Sequence, residues 1–332
     1  MSRNLIQLIS LLAMVFLPFT EAAASEQITL KFSHVVAENT PKGLMANKFK
    51  ELVESRLGDR VKVEVFPNSQ LFNDDMALEA LLLGDIQFAA PTLSKFSHYT
   101  RKLQVYDLPF LFRDMAAVER FQKSPTGQQL LKSMEPLGLT GLGYLHNGLK
   151  QISADSPLRV PADAMGKKFR IMSSDVLRAQ FDALDAISIK KPFSEVFTLL
   201  QTKAIDGQEN SWSNIYSKKF HEVQPFITES NHGLVDYMVV TSTEFWNGLD
   251  NDLRAGLKQA MEDAITYGNQ MAEQKSVHDR QAIIDSERSE VLQLSDRERD
   301  QWVNVMEPVW HKFESDIGKS VIEAALASNN TP

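Results

Sequence analysis

A short basic segment, residues 166–172 (GKKFRIM), contains the side chain best suited to bind a charged ligand. Arg170 stands there among apolar residues, where an arginine either pairs with an internal acid such as Asp185 or binds a ligand carboxylate. The planar guanidinium group presents a fork of donors that matches the two oxygens of a carboxylate. Residues 206–210 (DGQEN) predict a turn that ends in the side-chain amide of Asn210. Together the two segments predict a pocket for a small organic acid.

Residue types that support catalysis are not arranged in a recognisable pattern. The sequence has no Gly-x-Ser-x-Gly, no His-Glu-x-x-His and no Gly-x-x-x-x-Gly-Lys motif. The 7 histidines lack metal-ligand spacing, and the pair Asp74 and Asp75 is typical of a solvated surface. The chain has no cysteine, so it must fold without disulfide bonds. We therefore expect a protein that is not an enzyme and that needs no metal or other cofactor.

The N-terminus has the pattern of a secretory signal. Arg3 precedes an apolar run over residues 5–18, and small residues occupy positions 22–24. We expect a signal peptide at residues 1–24 and an exported mature chain that does not span the membrane. A retained anchor is the alternative, although the apolar run is short for a membrane span.

The charge of the chain limits its partners. A formal net charge of -8 disfavours nucleic acid. It does not disfavour a small anion, because a local cluster of cations acts within a Debye length of about 8 to 10 Å.

The elements that must position Arg170 and Asn210 alternate between strands and helices. Strands are predicted at residues 28–35, 61–65, 86–90, 139–145, 150–153, 168–172 and 237–241, and helices at 45–53 and 76–83. After Asp250, a predicted N-cap, helical spacing continues without proline to about Ser286. This order predicts an α/β fold with helices on both faces of a sheet, and the length suffices for two domains.

Six motifs occur in the same order as in the extracytoplasmic solute-binding proteins of tripartite ATP-independent periplasmic (TRAP) transporters. They are residues 66–71 (FPNSQL), 107–112 (DLPFLF), 147–151 (NGLKQ), 166–170 (GKKFR), 192–196 (PFSEV) and 206–210 (DGQEN). Essentially the whole mature chain resembles this family, and within it the C4-dicarboxylate-binding branch. The resemblance implies two α/β domains around a hinged cleft, with a long helix that spans both.

The same resemblance predicts the domain boundaries. The first domain comprises residues 25–147 and about 237–280, and the second comprises residues 148–236 and about 281–332. The chain is then expected to cross between the domains more than once.

The resemblance also implies roles for individual residues. The family arginine that binds the ligand carboxylate corresponds to Arg170, and the family asparagine corresponds to Asn210, which otherwise only caps its turn. The cation that follows Asn-Gly is Lys150, where many relatives have arginine; the plainer alternative is a solvated lysine. Phe193 corresponds to the family aromatic and is either a pocket wall or a core residue.

Three further residues are candidates for the pocket. His34 and Lys42, in the first β-α loop, suit an anion near a helix N-terminus, and the alternative is an exposed loop. Tyr237 either donates its hydroxyl across the cleft or lies in the core, whereas Trp212 is expected to pack.

The expected protein is a periplasmic receptor that captures succinate, malate or fumarate and delivers it to the membrane permease of a TRAP transporter. Arg170 would hold one carboxylate, and Lys150 or Lys42 the other. A sugar acid, a keto acid or another monocarboxylate is the alternative ligand. An exported enzyme or a sensor subunit is the more distant alternative.

Overall fold

The computed structural model describes residues 27–330, so the predicted signal peptide at residues 1–24 lies outside the described residues. The strands of the described chain are β1 (Ile28–Ser33), β2 (Val61–Phe66), β3 (Phe88–Ala89), β4 (Leu139–Leu149), β5 (Gln151–Ala154), β6 (Lys168–Ile171), β7 (Ile187–Lys190), β8 (Gly207–Asn210), β9 (Phe226–Glu229), β10 (Leu234–Ser242) and β11 (Glu290–Gln293). The α-helices are α1 (Pro41–Leu57), α2 (Asp74–Leu82), α3 (Met115–Lys123), α4 (Pro125–Leu131), α5 (Asp175–Ala183), α6 (Val196–Gln201), α7 (Trp212–Ser217), α8 (Thr243–Gly248), α9 (Asn251–Asp285), α10 (Asp296–Met306), α11 (Val309–Ile317) and α12 (Lys319–Ala327).

The strands form two sheets, each at the centre of one domain. The first sheet has the order β2-β1-β3-β10-β4, and the second has the order β11-β9-β5-β8-β6-β7. In the first, β1 runs parallel to β2 and β3, and β10 runs antiparallel to β4. Helices cover the sheets, so the predicted α/β class with two domains is confirmed.

The backbone passes between the domains at neighbouring points. Strand β4 of the first sheet ends at Leu149 and strand β5 of the second begins at Gln151, so Lys150 is the only residue between them. The chain returns between β9 and β10, where the Gly233 carbonyl accepts a 2.8 Å hydrogen bond from the Lys150 main-chain N–H. The two connections are therefore tied together at the junction of the domains.

Helix α9 spans both domains, as predicted. Asp250 caps it by accepting from the Leu253 N–H at 2.8 Å. Its first half contributes Leu257 to the core of the first domain, and Ile283 near its end belongs to the core of the second. At Gly268 a Cβ atom would lie 2.7 Å from a Leu145 methyl carbon. A larger residue there would force Leu145 and Met45 to shift, so glycine allows the helix to cross β4 this closely.

The C-terminal helices α11 and α12 pack on the first domain, and α11 also contacts α5 of the second domain. Val309, Ile317 and Ile322 share a hydrophobic core with residues such as Leu103 and Val118. The predicted assignment of residues 281–332 to the second domain stays a prediction.

Residues 206–210 do not form the predicted turn. From Gly207 to Asn210 the chain is strand β8, which is antiparallel to β5 and parallel to β6. The polar residues of this segment favour a turn locally, but inside the sheet Gln208 donates to Ser153 and Glu209 accepts from Lys150. Gly207 is needed for this packing, because a Cβ there would lie 2.6 Å from the ring of Phe169.

Candidate functional site

A pocket lies between the two domains and encloses about 430 Å³ of empty space, part of it open to solvent. The first domain lines it with Val35, Val36, Asn73, Asp74, Asp75, Thr92, Lys95, Val235 and Tyr237. The second domain lines it with Arg170, Met172, Pro192, Phe193, Asn210 and Asn214.

Arg170 is the buried cation of this pocket on the side of the second domain. The residue is 2% exposed and lines the pocket, and its Nε donates to the Lys191 carbonyl at 2.8 Å, while neither Nη group has a hydrogen-bond partner within residues 27–330. In residues 27–330 no carboxylate pairs with Arg170, and Asp185 is exposed. Burial lowers the pKa of Arg170 to about 10, against the charges of Glu209 and Asp74, so the side chain stays protonated at neutral pH. A buried guanidinium group without a counterion favours an anionic ligand.

The amide of Asn210 is oriented by its neighbours. Its Oδ1 accepts from the side chain of Asn214 at 2.7 Å and from the Ser211 N–H at 3.2 Å. With the oxygen occupied, the Nδ2 group is the part of the amide that can donate to a ligand.

Tyr237 is also oriented as a donor. Its hydroxyl oxygen accepts from Asn147 at 2.9 Å and from Asn214 at 3.4 Å. Burial keeps the pKa of the Tyr237 hydroxyl well above its usual range, so the proton is retained. Because both contacts use the oxygen as an acceptor, the hydroxyl proton is available to a ligand.

Phe193 combines the two predicted alternatives. It lines the pocket, with the guanidinium carbon of Arg170 at 6.0 Å from its ring centroid. It also packs edge-on against Phe220, a core residue of the second domain, with 5.8 Å between the ring centroids. Trp212 packs in the same core, as expected.

Lys150 is neither solvated nor part of the lining described for the pocket. The residue is 1% exposed, and its Nζ donates to Glu209 Oε1 at 2.8 Å. The other oxygen of Glu209 lies 2.8 Å from Nε2 of His232. Burial alone would raise the pKa of Glu209, but Lys150 and His232 outweigh it and lower that pKa to about 2. The Lys150 charge is therefore matched within the protein at the crossing between the domains.

His34 and Lys42 lie behind the pocket wall. Lys42 is fully buried in α1, donates to the Ala90 carbonyl at 2.7 Å and places Nζ 3.6 Å from the ring centroid of Tyr237. Burial lowers the pKa of Lys42 to about 8, and the charge of Asp74 opposes this shift. His34 is buried too, and in residues 27–330 neither ring nitrogen has a partner. Burial and then the Lys42 charge lower the pKa of His34 to about 3, so its ring is neutral.

Several residues of the pocket were not predicted as ligand contacts. Lys95 is buried and donates to Asp75 at 2.6 Å and to Ser173 at 3.2 Å. Asp74 and Asp75, which resemble a solvated pair in sequence, form the first turn of α2 after the N-cap Asn73. An N-cap followed by two acids predicts the helix start, but long-range packing alone brings it to the pocket.

Polar contacts join the domains around the pocket. Ser174 donates to the Asp107 carboxylate at 2.8 Å, and Lys218 donates to the Asn68 side chain at 3.0 Å. The contact from Lys95 to Ser173 also crosses from the first domain to the second. The two domains thus meet on more than one side of Arg170.

The arrangement can bind an anion without performing chemistry on it. The groups that face the pocket include a guanidinium, an ammonium, an amide and a hydroxyl, all of which can donate hydrogen bonds. In residues 27–330 no group of acidic and histidine side chains is arranged to hold a metal ion. In the same part of the chain, the helices lack the combined length and apolar character that a membrane crossing requires.

Comparisons with known proteins identify the family of the chain. The family model described as "Bacterial extracellular solute-binding protein, family 7" (DctP) matches residues 32–316. A Shewanella loihica protein named C4-dicarboxylate-binding periplasmic protein DctP is 62% identical over 327 residues, which are 98% of this chain and 97% of the relative.

Two solved structures share the fold. A TRAP periplasmic solute-binding protein from Shewanella oneidensis with bound succinate is 63% identical, with a TM-score of 0.91 over 92% of this chain and 100% of that chain. A TRAP periplasmic solute-binding protein from Pseudomonas aeruginosa with bound L-malate is 44% identical, with a TM-score of 0.84 over 86% of this chain and 99% of that chain.

Proposed function

Because the chain belongs to family 7 of the bacterial extracellular solute-binding proteins, we propose that it is the periplasmic receptor of a TRAP transporter and captures a C4-dicarboxylate. The family match confirms the prediction of a binding protein rather than an enzyme. The relatives that bind succinate and L-malate are similar over most of the chain, which supports a ligand of the same class.

One observation supports the proposal most strongly: Arg170 is a buried guanidinium group between the domains, and within residues 27–330 no carboxylate pairs with it. Its two Nη groups can take both oxygens of one ligand carboxylate. Asn210 and Tyr237 present further donors to the same pocket. A charge-assisted hydrogen bond contributes about 1.5 to 3 kcal/mol, so a few of them, less the ordering cost, support about micromolar binding.

A second carboxylate needs a second cation. Lys95 lines the pocket on the side of the first domain, opposite the domain that carries Arg170. Lys42 lies behind the ring of Tyr237 and adds positive charge at short range. The assignment of this role to Lys150 stays a prediction. Lys95 and Lys150 each pair with a carboxylate, Asp75 and Glu209, but of the two only Lys95 lines the pocket, which makes it the better candidate.

The position of the pocket suggests how binding is signalled. A dicarboxylate held by Arg170 and Lys95 contacts both domains at once, and it can do so only when the cleft is closed. Binding therefore shifts the equilibrium toward the closed form. We propose that a membrane permease recognises this closed form and receives the ligand.

A thermal-shift panel tests the proposal. A ligand that binds only the native state raises the melting temperature, so succinate, L-malate and fumarate are expected to do so. Butyrate serves as the matched control with one carboxylate, and galactonate represents the sugar acids. If only galactonate or butyrate raised the melting temperature, the ligand would be a sugar acid or another monocarboxylate and not a C4-dicarboxylate. Turnover of any acid during incubation would support an enzyme instead.

A further inference from the structure

Asp74 is a carboxylate inside an anion-binding pocket, and the proposed function does not use it. It is the first residue of α2, lines the pocket and is 9% exposed. In residues 27–330 no donor forms a hydrogen bond with its side chain, whereas the neighbouring Asp75 accepts from Lys95 at 2.6 Å. A pocket-lining carboxylate without a donor from the described chain has its oxygens available to accept a hydrogen bond from a ligand.

The charge of Asp74 acts on the groups that face the ligand. Burial lowers the pKa values of Lys42 and Arg170, and the Asp74 carboxylate opposes both shifts. Burial also raises the pKa of the Tyr237 hydroxyl, and Asp74 adds to that shift. Asp74 therefore shares the electrostatic environment of the ligand donors.

A bound dicarboxylate brings more negative charge close to Asp74. Like charges in a water-poor pocket repel each other unless a group that carries a proton lies between them. Succinate has no such group, since all its polar atoms accept hydrogen bonds at neutral pH. A hydroxyl on C2 of the ligand would supply the donor.

We propose that Asp74 is a specificity-determining residue that accepts a hydrogen bond from a ligand hydroxyl, so that the pocket favours 2-hydroxy C4-dicarboxylates over unsubstituted ones. The inference rests on the proposed function, because it requires a C4-dicarboxylate in this pocket. A site built to pair with a hydroxyl disfavours the analogue that lacks it, since its own polar group is then left unpaired.

Asn214 provides independent support. Its Nδ2 donates to Asn210 at 2.7 Å, but in the described part of the chain its buried Oδ1 has no partner. The residue lines the same pocket, from the second domain. A pocket that received carboxylates alone would present donors only. An unpaired acceptor from each domain instead indicates a ligand that also donates.

The test compares two ligands that differ by one hydroxyl. Calorimetry measures the dissociation constants of L-malate and succinate for the unmodified protein and for Asp74→Ala. In the variant the dissociation constant of L-malate is expected to rise roughly 10- to 100-fold more than that of succinate. This is the effect of losing one hydrogen bond to a charged group. Succinate affinity is expected to be unchanged or tighter, because a like charge has been removed. The preference between L-malate and D-malate is expected to shrink as well.

Other outcomes would overturn the inference. If Asp74→Ala changed the dissociation constants of L-malate and succinate by the same factor, Asp74 would act only through the fold or through its charge. If Asp74→Ala does not fold, Asp74→Leu decides, because leucine is similar in size and cannot accept the ligand hydroxyl, so it must lower the malate-to-succinate preference in the same direction. Failure of the unmodified protein to bind either acid would instead refute the proposed function, and this inference with it. Binding of both acids with no effect of Asp74 would refute the inference only.

Discussion

Replacing Arg170 by alanine is expected to weaken C4-dicarboxylate binding by about 2 to 4 kcal/mol, which is about 30- to 1,000-fold in the dissociation constant. The side chain offers two Nη groups to the ligand, and each charge-assisted bond contributes about 1.5 to 3 kcal/mol. The net loss is smaller than their sum, because the variant no longer has to bury a guanidinium group. That burial is what lowers the pKa of Arg170 to about 10.

The assay is calorimetric titration of the folded variant with succinate and L-malate. Arg170→Lys keeps the charge but loses the planar fork, so its affinity is expected to lie between those of the unmodified protein and Arg170→Ala. Arg280→Ala is the matched control. Arg280 makes two bonds with Glu229 at 2.8 and 2.7 Å outside the pocket, so this variant is expected to keep its ligand affinity.

The stability of each variant must be measured without ligand. Arg170→Ala also removes the hydrogen bond from Nε to the Lys191 carbonyl, so some loss of melting temperature is expected. A well-folded Arg170→Ala protein with unchanged affinity for both acids would refute the assignment of Arg170 as the carboxylate anchor.

Three further predictions concern other buried groups. Lys95→Met is expected to weaken the binding of succinate more than that of butyrate. Lys150→Met is expected mainly to lower the free energy of unfolding, by about 3 to 5 kcal/mol, because Glu209 loses its partner. A loss of dicarboxylate binding by calorimetry in Lys150→Met alone would reverse the two roles. Tyr237→Phe is expected to weaken succinate binding by about 1.5 to 3 kcal/mol, because one donor to a charged group is lost. Equal succinate affinities of the variant and the unmodified protein by calorimetry would place Tyr237 in the core only. Above pH 6.5, the ordinary pKa of histidine, burying the neutral ring of His34 costs no deprotonation. As the pH falls from 6.5 toward the native pKa of about 3, the free energy of unfolding decreases, because the unfolded chain takes up a proton that the native ring does not. By pH 5 the loss is about 2 kcal/mol, so urea unfolding of His34→Gln is expected to depend less on pH over this range, and an unchanged dependence would contradict the assignment.

The parts of the fold that follow local periodicity could be predicted from the sequence. Strand β2 alternates over residues 61–65, and helix α9 keeps helical spacing from its N-cap Asp250, so short segments contain enough information. Strand β8 could not be predicted this way. Its Gly207 and polar residues favour a turn, and only pairing with β5 and β6 makes a strand the better state.

The site shows the same division between local and long-range information. Arg170 and Asn210 belong to motifs that identify a family, and both line the pocket. The partner of Lys150 could not be read from the chain, because Glu209 lies 59 residues away and reaches it only through the sheet. Lys95 was missed because no motif contains it, and only the packing of the first domain brings it to the pocket. Residue types thus suggest which charges bind anions, but pairing in the folded chain decides which remain free.

The most direct test of the central claim is a calorimetric titration of residues 25–332 with succinate and L-malate, with butyrate and galactonate as comparisons. The proposed function predicts one saturable site with a dissociation constant of about 1 µM or below for at least one dicarboxylate and much weaker binding of the other acids. Failure to bind any C4-dicarboxylate, or tighter binding of butyrate or galactonate, would contradict it.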